Sequence, residues 1–222
     1  MERKIYWGVI ALIVAIFVVD FFIPRSGKEE KMLPWHIEHP TPNSTRVFGI
    51  VLGKSSLNEI EQKIEEDGKI SMFKSREGRL STEAYFDEVT LNGLKAKIIV
   101  TLAVTDSVMQ SMLDRSVRTQ VVGSGKQITL TSDDVSYVRQ LPISSITYMP
   151  SIRLEEEIFR QRFGNPTQRI QETDSGVMHW LYAHHGLDII FNGDAKPILQ
   201  YVSPAEFDKL TAPLMAAGKV LD

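Results

Sequence analysis

The longest apolar stretch of the chain lies close to its start. Residues 5–23 read IYWGVIALIVAIFVVDFFI, and a helix of these 19 residues would be roughly 28 Å long, close to the hydrocarbon thickness of a bilayer. The stretch has no polar position before Asp20, and Pro24 ends it. No small-residue cleavage site follows, although a signal peptide would require one. The pattern therefore predicts an uncleaved transmembrane signal anchor after a leader of residues 1–4.

A proline-rich tether, residues 24–45, leads into a segment in which strand-like and helix-like patterns alternate. Within this first segment, residues 46–145, Ser56 and Glu59 have the spacing of a capping box at a helix N-terminus. The Asn92-Gly93 pair is typical of a tight turn between two antiparallel strands. These signals predict a helix that packs on an antiparallel sheet.

A second hairpin is predicted around Gly123, Ser124 and Gly125, which separate two short runs rich in β-branched residues. The motif GSGK in this stretch resembles part of a phosphate-binding loop. It lacks the spacing of such a loop, and Gln127 stands where a serine or threonine would follow the lysine. The hairpin is therefore the better interpretation, inserted into the first segment.

The second segment, residues 146–222, repeats the order of the first one. A short strand is followed by a helix that stops at Gly164, then by strand-like runs with an Asn192-Gly193 turn, and then by a helix start at Ser203. Residue identities between the segments are few, so two unrelated segments are the alternative to a duplication. We predict an α+β fold, with the N-terminal transmembrane helix followed by tandem helix-plus-antiparallel-sheet repeats.

Composition and charge exclude several classes of function. The 222-residue chain has 43% apolar and 24% charged residues and a net charge of −3, which is ordinary for a globular protein. An acidic chain without a basic stripe has no general attraction for nucleic acid, so no nucleic-acid partner is expected. The chain contains no cysteine, which excludes disulfides, thiolate metal sites and cysteine nucleophiles.

The second segment resembles a module found in bacterial envelope proteins. In that module a helix ends in FG-x-P, and strands carrying W-x-Y and a second apolar run follow. The residues that match are Phe163, Gly164, Pro166, Trp180, Tyr182 and the runs 187–191 and 199–202. Residues 151–203 thus resemble the small SmpA/OmlA-type lipoproteins of the outer-membrane barrel assembly machine and the β-lactamase inhibitor protein. The resemblance implies helices on an antiparallel sheet and binding of other proteins. This chain lacks the lipidated cysteine of those lipoproteins.

The densest group of candidate ligands is His179, His184, His185 and Asp188. Two imidazoles and a carboxylate can hold zinc with an open position for water. Adjacent histidines seldom face one ion, however, and a polar hairpin end is the simpler interpretation. His36 and His39 lie between prolines in the tether, where solvated linker is expected. No G-x-S-x-G motif supports a serine nucleophile.

Trp180 and Tyr182 share one face of a predicted strand, where core packing is the simplest expectation. If they are exposed on an open sheet face, they would form a partner site together with His184 and His185. These four residues are the predicted partner contacts. No catalytic, cofactor-binding or metal-binding residue is predicted, and no cofactor is expected.

The sequence therefore favours a single-pass protein of the inner membrane, with its N-terminus in the cytoplasm and its folded part in the periplasm. That part is expected to be a protein-interaction or assembly module whose partner is another envelope protein, and not an enzyme. The alternative is a membrane-anchored hydrolase or receptor that binds a ligand or a metal through the His179, His184 and His185 region.

Overall fold

The computed structural model describes residues 32–123 and 125–221, and a large antiparallel sheet dominates this part of the chain. The strands are β1 (Arg46–Val47), β2 (Ile50–Val51), β3 (Lys69–Ser75), β4 (Leu80–Leu91), β5 (Leu94–Leu102), β6 (Arg118–Val122), β7 (Gly125–Thr129), β8 (Ile143–Pro150), β9 (Gln168–Glu172), β10 (Met178–Tyr182), β11 (Leu187–Phe191), β12 (Ile198–Val202) and β13 (Gly218–Val220). The α-helices are α1 (Leu57–Ile64), α2 (Asp106–Asp114), α3 (Ser132–Val138), α4 (Glu156–Phe163) and α5 (Phe207–Ala217).

The main sheet has 11 strands in the order β13-β9-β10-β11-β12-β8-β5-β4-β3-β7-β6, and every pairing is antiparallel. Strand β8 joins the two halves, because it pairs with β12 on one side and with β5 on the other. The predicted α+β fold of tandem repeats behind a transmembrane helix is therefore wrong: the described residues form mostly one large antiparallel sheet with short helices. The predicted boundary at residues 145–146 lies inside β8, and the division into domains stays a prediction.

The prediction of a single-pass protein with a transmembrane signal anchor needs the same correction. No helix in residues 32–123 or 125–221 is long and apolar enough to cross a membrane, and the longest, α5, has 11 residues. The predicted anchor, residues 5–23, lies outside the described residues.

Several local signals are confirmed. Ser56 and Glu59 form the predicted capping box: the Ser56 side chain accepts from the Glu59 amide, and the Glu59 carboxylate accepts from the Ser56 amide. Asn92 and Gly93 both have positive φ, as a tight turn between β4 and β5 requires. The Asn192-Gly193 signal does not mark a two-residue turn, since β11 and β12 are first paired at Ile190 and Ile198.

The two faces of the sheet are covered unequally. Helices α1 to α4 share one hydrophobic core with alternate residues of the central strands, among them Val100, Ile146 and Tyr148. Helix α5 covers a smaller cluster with Leu181 on the other face, over one end of the sheet only. The remainder of that face carries half-exposed residues such as Thr147, as a water-facing antiparallel sheet commonly does.

The described part of the predicted tether, residues 32–45, packs on the sheet. The Tyr201 hydroxyl donates to the Pro34 carbonyl at 2.7 Å, and this tyrosine is fully buried. The Glu38 and Arg46 amides and carbonyls bond to each other at 2.8 and 2.9 Å. Prolines prevent a regular helix or strand here, but backbone groups of the tether still form hydrogen bonds with the folded residues that follow it.

Candidate functional site

Two of the four predicted partner contacts lie in the core. Trp180 is 2% exposed and Tyr182 is 3% exposed, because β10 turns both side chains toward α4. The Arg160 guanidinium stacks 4.4 Å from the Trp180 ring centre, and the Tyr182 hydroxyl donates to the Gly164 carbonyl at 3.2 Å. The end of α4 and strand β10, which carry the residues that match the envelope module, thus contact each other in the core.

The other two predicted contacts, His184 and His185, lie in the turn between β10 and β11 and meet a histidine from the tether. The ring centre of His39 is 4.8 Å from that of His184 and 5.5 Å from that of His185. The turn closes at Gly186, where φ is +62° and a Cβ would come within 2.1 Å of the Val202 carbonyl oxygen. Only glycine fits there, and the turn it allows holds His184 and His185 next to His39 of the tether. We call these three residues, His39, His184 and His185, the histidine cluster.

The hydrogen bonds of this cluster determine its tautomers. His39 Nδ1 lies 3.0 Å from the Ser44 carbonyl oxygen, which can only accept, so Nδ1 carries a hydrogen. In neutral His39 the Nε2 atom is then an acceptor, and His185 Nδ1, 3.2 Å away, donates to it. Burial, together with His39 and His184 nearby, lowers the pKa of His185.

Acidification is therefore expected to release the tether. A lowered pKa in the folded state stabilises the fold above the usual histidine pKa of about 6.5, and this contribution is lost as the pH falls. Charging the partly buried His185 ring beside His39 and His184 should weaken the packing of the tether by about 1 kcal/mol, which should lower hydrogen-exchange protection of the Glu38 and Arg46 amides about fivefold between pH 7.5 and 5, after correction for intrinsic rates.

The variant His185→Asn keeps a donor near Nδ1 but cannot titrate, so it should lose this pH response. His36→Gln is the matched control, since His36 pairs only with Glu38 and is 46% exposed. Equal pH responses in wild type and His185→Asn would contradict the assignment.

His179 lies apart from the histidine cluster, because strand alternation turns it to the face opposite Trp180. Its Nδ1 is 2.7 Å from a carboxylate oxygen of Asp188, and its Nε2 is 3.4 Å from Glu172. Burial alone would lower the pKa of His179, but the hydrogen bonds and charges of the two acids raise it on balance. Burial raises the pKa of Asp188.

This arrangement does not join the residues of the predicted ligand or metal site. His179 contacts two acids, whereas His184 and His185 contact His39. In the described ranges, no group of three or more His, Asp or Glu side chains is placed to hold a metal ion. Both ring nitrogens of His179 face carboxylates, so neither is directed at a hydroxyl nucleophile.

The most exposed apolar side chains of the described residues lie at the opposite end of the sheet. Among the described strands, β6 is the last one on that side and pairs with β7 alone. Its first four residues are exposed; Val121 is 84% exposed, and Val117 just before the strand is 68% exposed. Edge strands usually carry proline, bulges or several charges that prevent pairing, but β6 has only Arg118.

The tight turn of this hairpin determines which backbone groups of β6 are free. Val122 and Gly125 close the turn, so the backbone groups of Val122 and Gln120 point toward β7. Those of Thr119 and Val121 point outward. Gly125 allows β3 and β7 to approach, because a Cβ there would come within 2.2 Å of the Lys74 carbonyl oxygen.

A basic groove of about 340 Å³ adjoins β6. It is lined by Lys74, Arg76 and Lys126 together with Val121, and no acidic residue lines it. The Arg76 guanidinium is fixed by a 2.8 Å hydrogen bond to the Gly123 carbonyl. We define the edge site as β6 together with this groove.

The sequence indicated the β6–β7 hairpin but not the edge site. Two adjacent valines without strict polar alternation were the available signal, and they suit a buried strand equally well.

No protein-family model matches this chain, and comparisons with curated proteins and with solved structures found no match either. The resemblance to the envelope module, the periplasmic location and the envelope partner therefore stay predictions.

Proposed function

We propose that this protein is a protein-interaction module that binds an extended segment of a partner protein at β6. The observation that carries the proposal is an edge strand with a single charged residue, in which Val121, the fourth of five residues, is 84% exposed. Such a strand presents unpaired backbone N–H and C=O groups that a partner strand can satisfy. Main-chain hydrogen bonds would supply affinity, and the side chains along the edge would supply selectivity.

The size of the edge limits the strength of the interaction. Strand β6 has five residues, and its outward backbone groups are those of Thr119 and Val121. A partner strand of similar length buries less area than a standard protein interface, so binding should be transient, with a Kd on the order of micromolar to hundreds of micromolar. This suits recruitment or assembly steps in which the partner must later be released.

The test uses peptides of about nine residues selected from a randomised library on the full-length protein. Selected peptides should protect the Thr119 and Val121 amides from hydrogen exchange, because these N–H groups have no strand partner in the free protein. The variant Val121→Pro removes one outward N–H and no bond to β7, and it should weaken binding at least about tenfold.

Val121→Thr is the matched control, since it keeps the N–H and the β-branched shape, and its affinity should stay within about threefold of wild type. Protection that appears only on the half-exposed face around Thr147, or binding unchanged in Val121→Pro, would overturn the proposal.

A further inference from the structure

We infer that the segment accepted at β6 is acidic and that its carboxylates pair with the lysines of the basic groove. This inference rests on the proposed strand addition and names the chemistry of its partner. It is based on a pair of like charges that does not stabilise the fold: Lys74 and Lys126 lie directly opposite each other on β3 and β7. Like charges at directly opposed positions of an antiparallel pair are destabilising.

No side chain of the described residues relieves this repulsion. Neither lysine forms an ion pair or a side-chain hydrogen bond with another described residue. Two acids, Glu77 and Glu83, line a larger groove to which Lys74, Arg76 and Lys126 also contribute. Glu83 accepts from the Ser81 hydroxyl at 2.7 Å, and a hydrogen bond from Ser75 is the main cause of the lowered pKa of Glu77. The charge of Arg76 also contributes to the lowered pKa of Glu77, but neither acid pairs with Lys74 or Lys126, so the charges of the two lysines are not compensated.

The register places this charge within reach of an added strand. Lys126 is directly opposite Val121, so both side chains lie on the same face of the sheet. A residue of the partner opposite Val121 would lie on that face too, two strand spacings or about 10 Å from Lys126. Extended lysine and glutamate side chains together cover that distance across the small valine. A glutamate at this position can thus pair with Lys126.

An acidic peptide fits the edge site better than a second copy of this chain does. Another copy would bring its own Arg118 and Lys126 to the same surface, adding positive charge to positive charge. A nucleic acid would satisfy the lysines but not the outward N–H and C=O groups of Thr119 and Val121. Only an extended acidic polypeptide satisfies both sets of groups.

The experiment compares two peptides of about nine residues that alternate valine with either glutamate or glutamine. Their binding to the full-length protein is measured by fluorescence anisotropy. The glutamate peptide should bind about tenfold more tightly at low salt, and this preference should largely vanish at about 0.5 M salt because the pairs are exposed. Lys126→Gln should reduce the preference about threefold, and Lys74→Gln should reduce it less, because Lys74 lies one strand farther from the added segment. Lys219→Gln, in the edge strand at the other end of the sheet, should leave it unchanged.

The outcomes separate this inference from the proposed function. Equal binding of the two peptides, with both still sensitive to Val121→Pro, would overturn the acidic partner and leave strand addition intact. Binding of neither peptide to the wild type, with no protection at Thr119 or Val121, would overturn both. Inorganic phosphate or a single-stranded oligonucleotide that binds through Lys126 and is unaffected by Val121→Pro would show a simple anion site instead, and would also overturn the acidic-strand inference.

Discussion

Replacement of Phe48 by alanine is expected to lower the free energy of unfolding by about 3–5 kcal/mol. Phe48 is fully buried, and its ring centre lies 5.3 Å from that of Tyr148 and 5.7 Å from that of Tyr201. It occupies the turn between β1 and β2 and joins this small ribbon to the main sheet. Alanine would leave a cavity between two tyrosines that their strands hold in place. Urea unfolding of the full-length protein measures the change.

The backbone at Phe48 offers a second test. Its φ is +52°, in the left-handed region, which costs a residue with a Cβ about 1–2 kcal/mol. Phe48→Gly removes the same ring and also relieves this strain, whereas Phe48→Ala keeps the strain, so the glycine variant should be at least as stable as Phe48→Ala. Val121→Ala is the exposed control and should change stability by less than about 0.5 kcal/mol. A loss below about 1 kcal/mol for Phe48→Ala would contradict the role of the ring as an anchor.

Replacement of His179 by alanine is expected to cost about 3–5 kcal/mol at pH 7.5, because it leaves a buried charge without its partner. The side chains of His179 and Asp188 are 6% and 1% exposed. The second carboxylate oxygen of Asp188 is also buried and has no hydrogen-bond partner among the described groups. Without His179, this carboxylate would lose the ring that now donates to it.

The pH dependence of this variant follows from the sign of each shift. Burial raises the pKa of Asp188, and His179 opposes that rise. Without His179 the carboxyl pKa rises further, so protonation relieves the buried charge and the cost should shrink toward pH 5. In the wild type the raised pKa of His179 acts in the opposite direction: its stabilising effect is full below pH about 6.5 and is lost as the pH rises through its folded pKa. The cost of His179→Ala therefore shrinks toward pH 5 only by the amount by which protonation of Asp188 outweighs this effect.

The double variant His179→Ala with Asp188→Asn distinguishes a charge penalty from a packing loss. Removing the acid as well should recover part of the stability at pH 7.5, because no unpaired charge remains. His36→Ala is the exposed control and should have little effect. A cost for His179→Ala that is independent of pH and unchanged by Asp188→Asn would show that the imidazole acts only by packing.

Local sequence signals predicted most of the short-range structure. The Ser56–Glu59 capping box, the Asn92-Gly93 turn and the β6–β7 hairpin each depend on residues within a few positions of one another, so their geometry is already encoded in the local chain. Asn192-Gly193 was misleading for the same reason: the pair permits a tight turn, but the distant pairing of β12 with β8 sets where β12 begins.

The candidate sites could not be predicted in this way. His39 and His185 are separated by 146 positions, and only the packing of the tether brings their rings together. Core packing was the simplest expectation for Trp180 and Tyr182, and it is the position of α4 that buries them. Lys74 and Lys126 become opposed only through the β3–β7 register.

By itself the sequence therefore determined the Ser56–Glu59 helix cap, the Asn92-Gly93 turn and the β6–β7 hairpin, since these depend on local backbone preferences and on nearby residues. It did not determine that both halves share a single sheet, because β8 satisfies either half equally well by its own pattern. Only the tertiary structure decided that β8 pairs with β5, and that order leaves β6 at the edge. A strand lies at the edge of a sheet when no other strand pairs with its outer side, and the residues of β6 alone do not determine this.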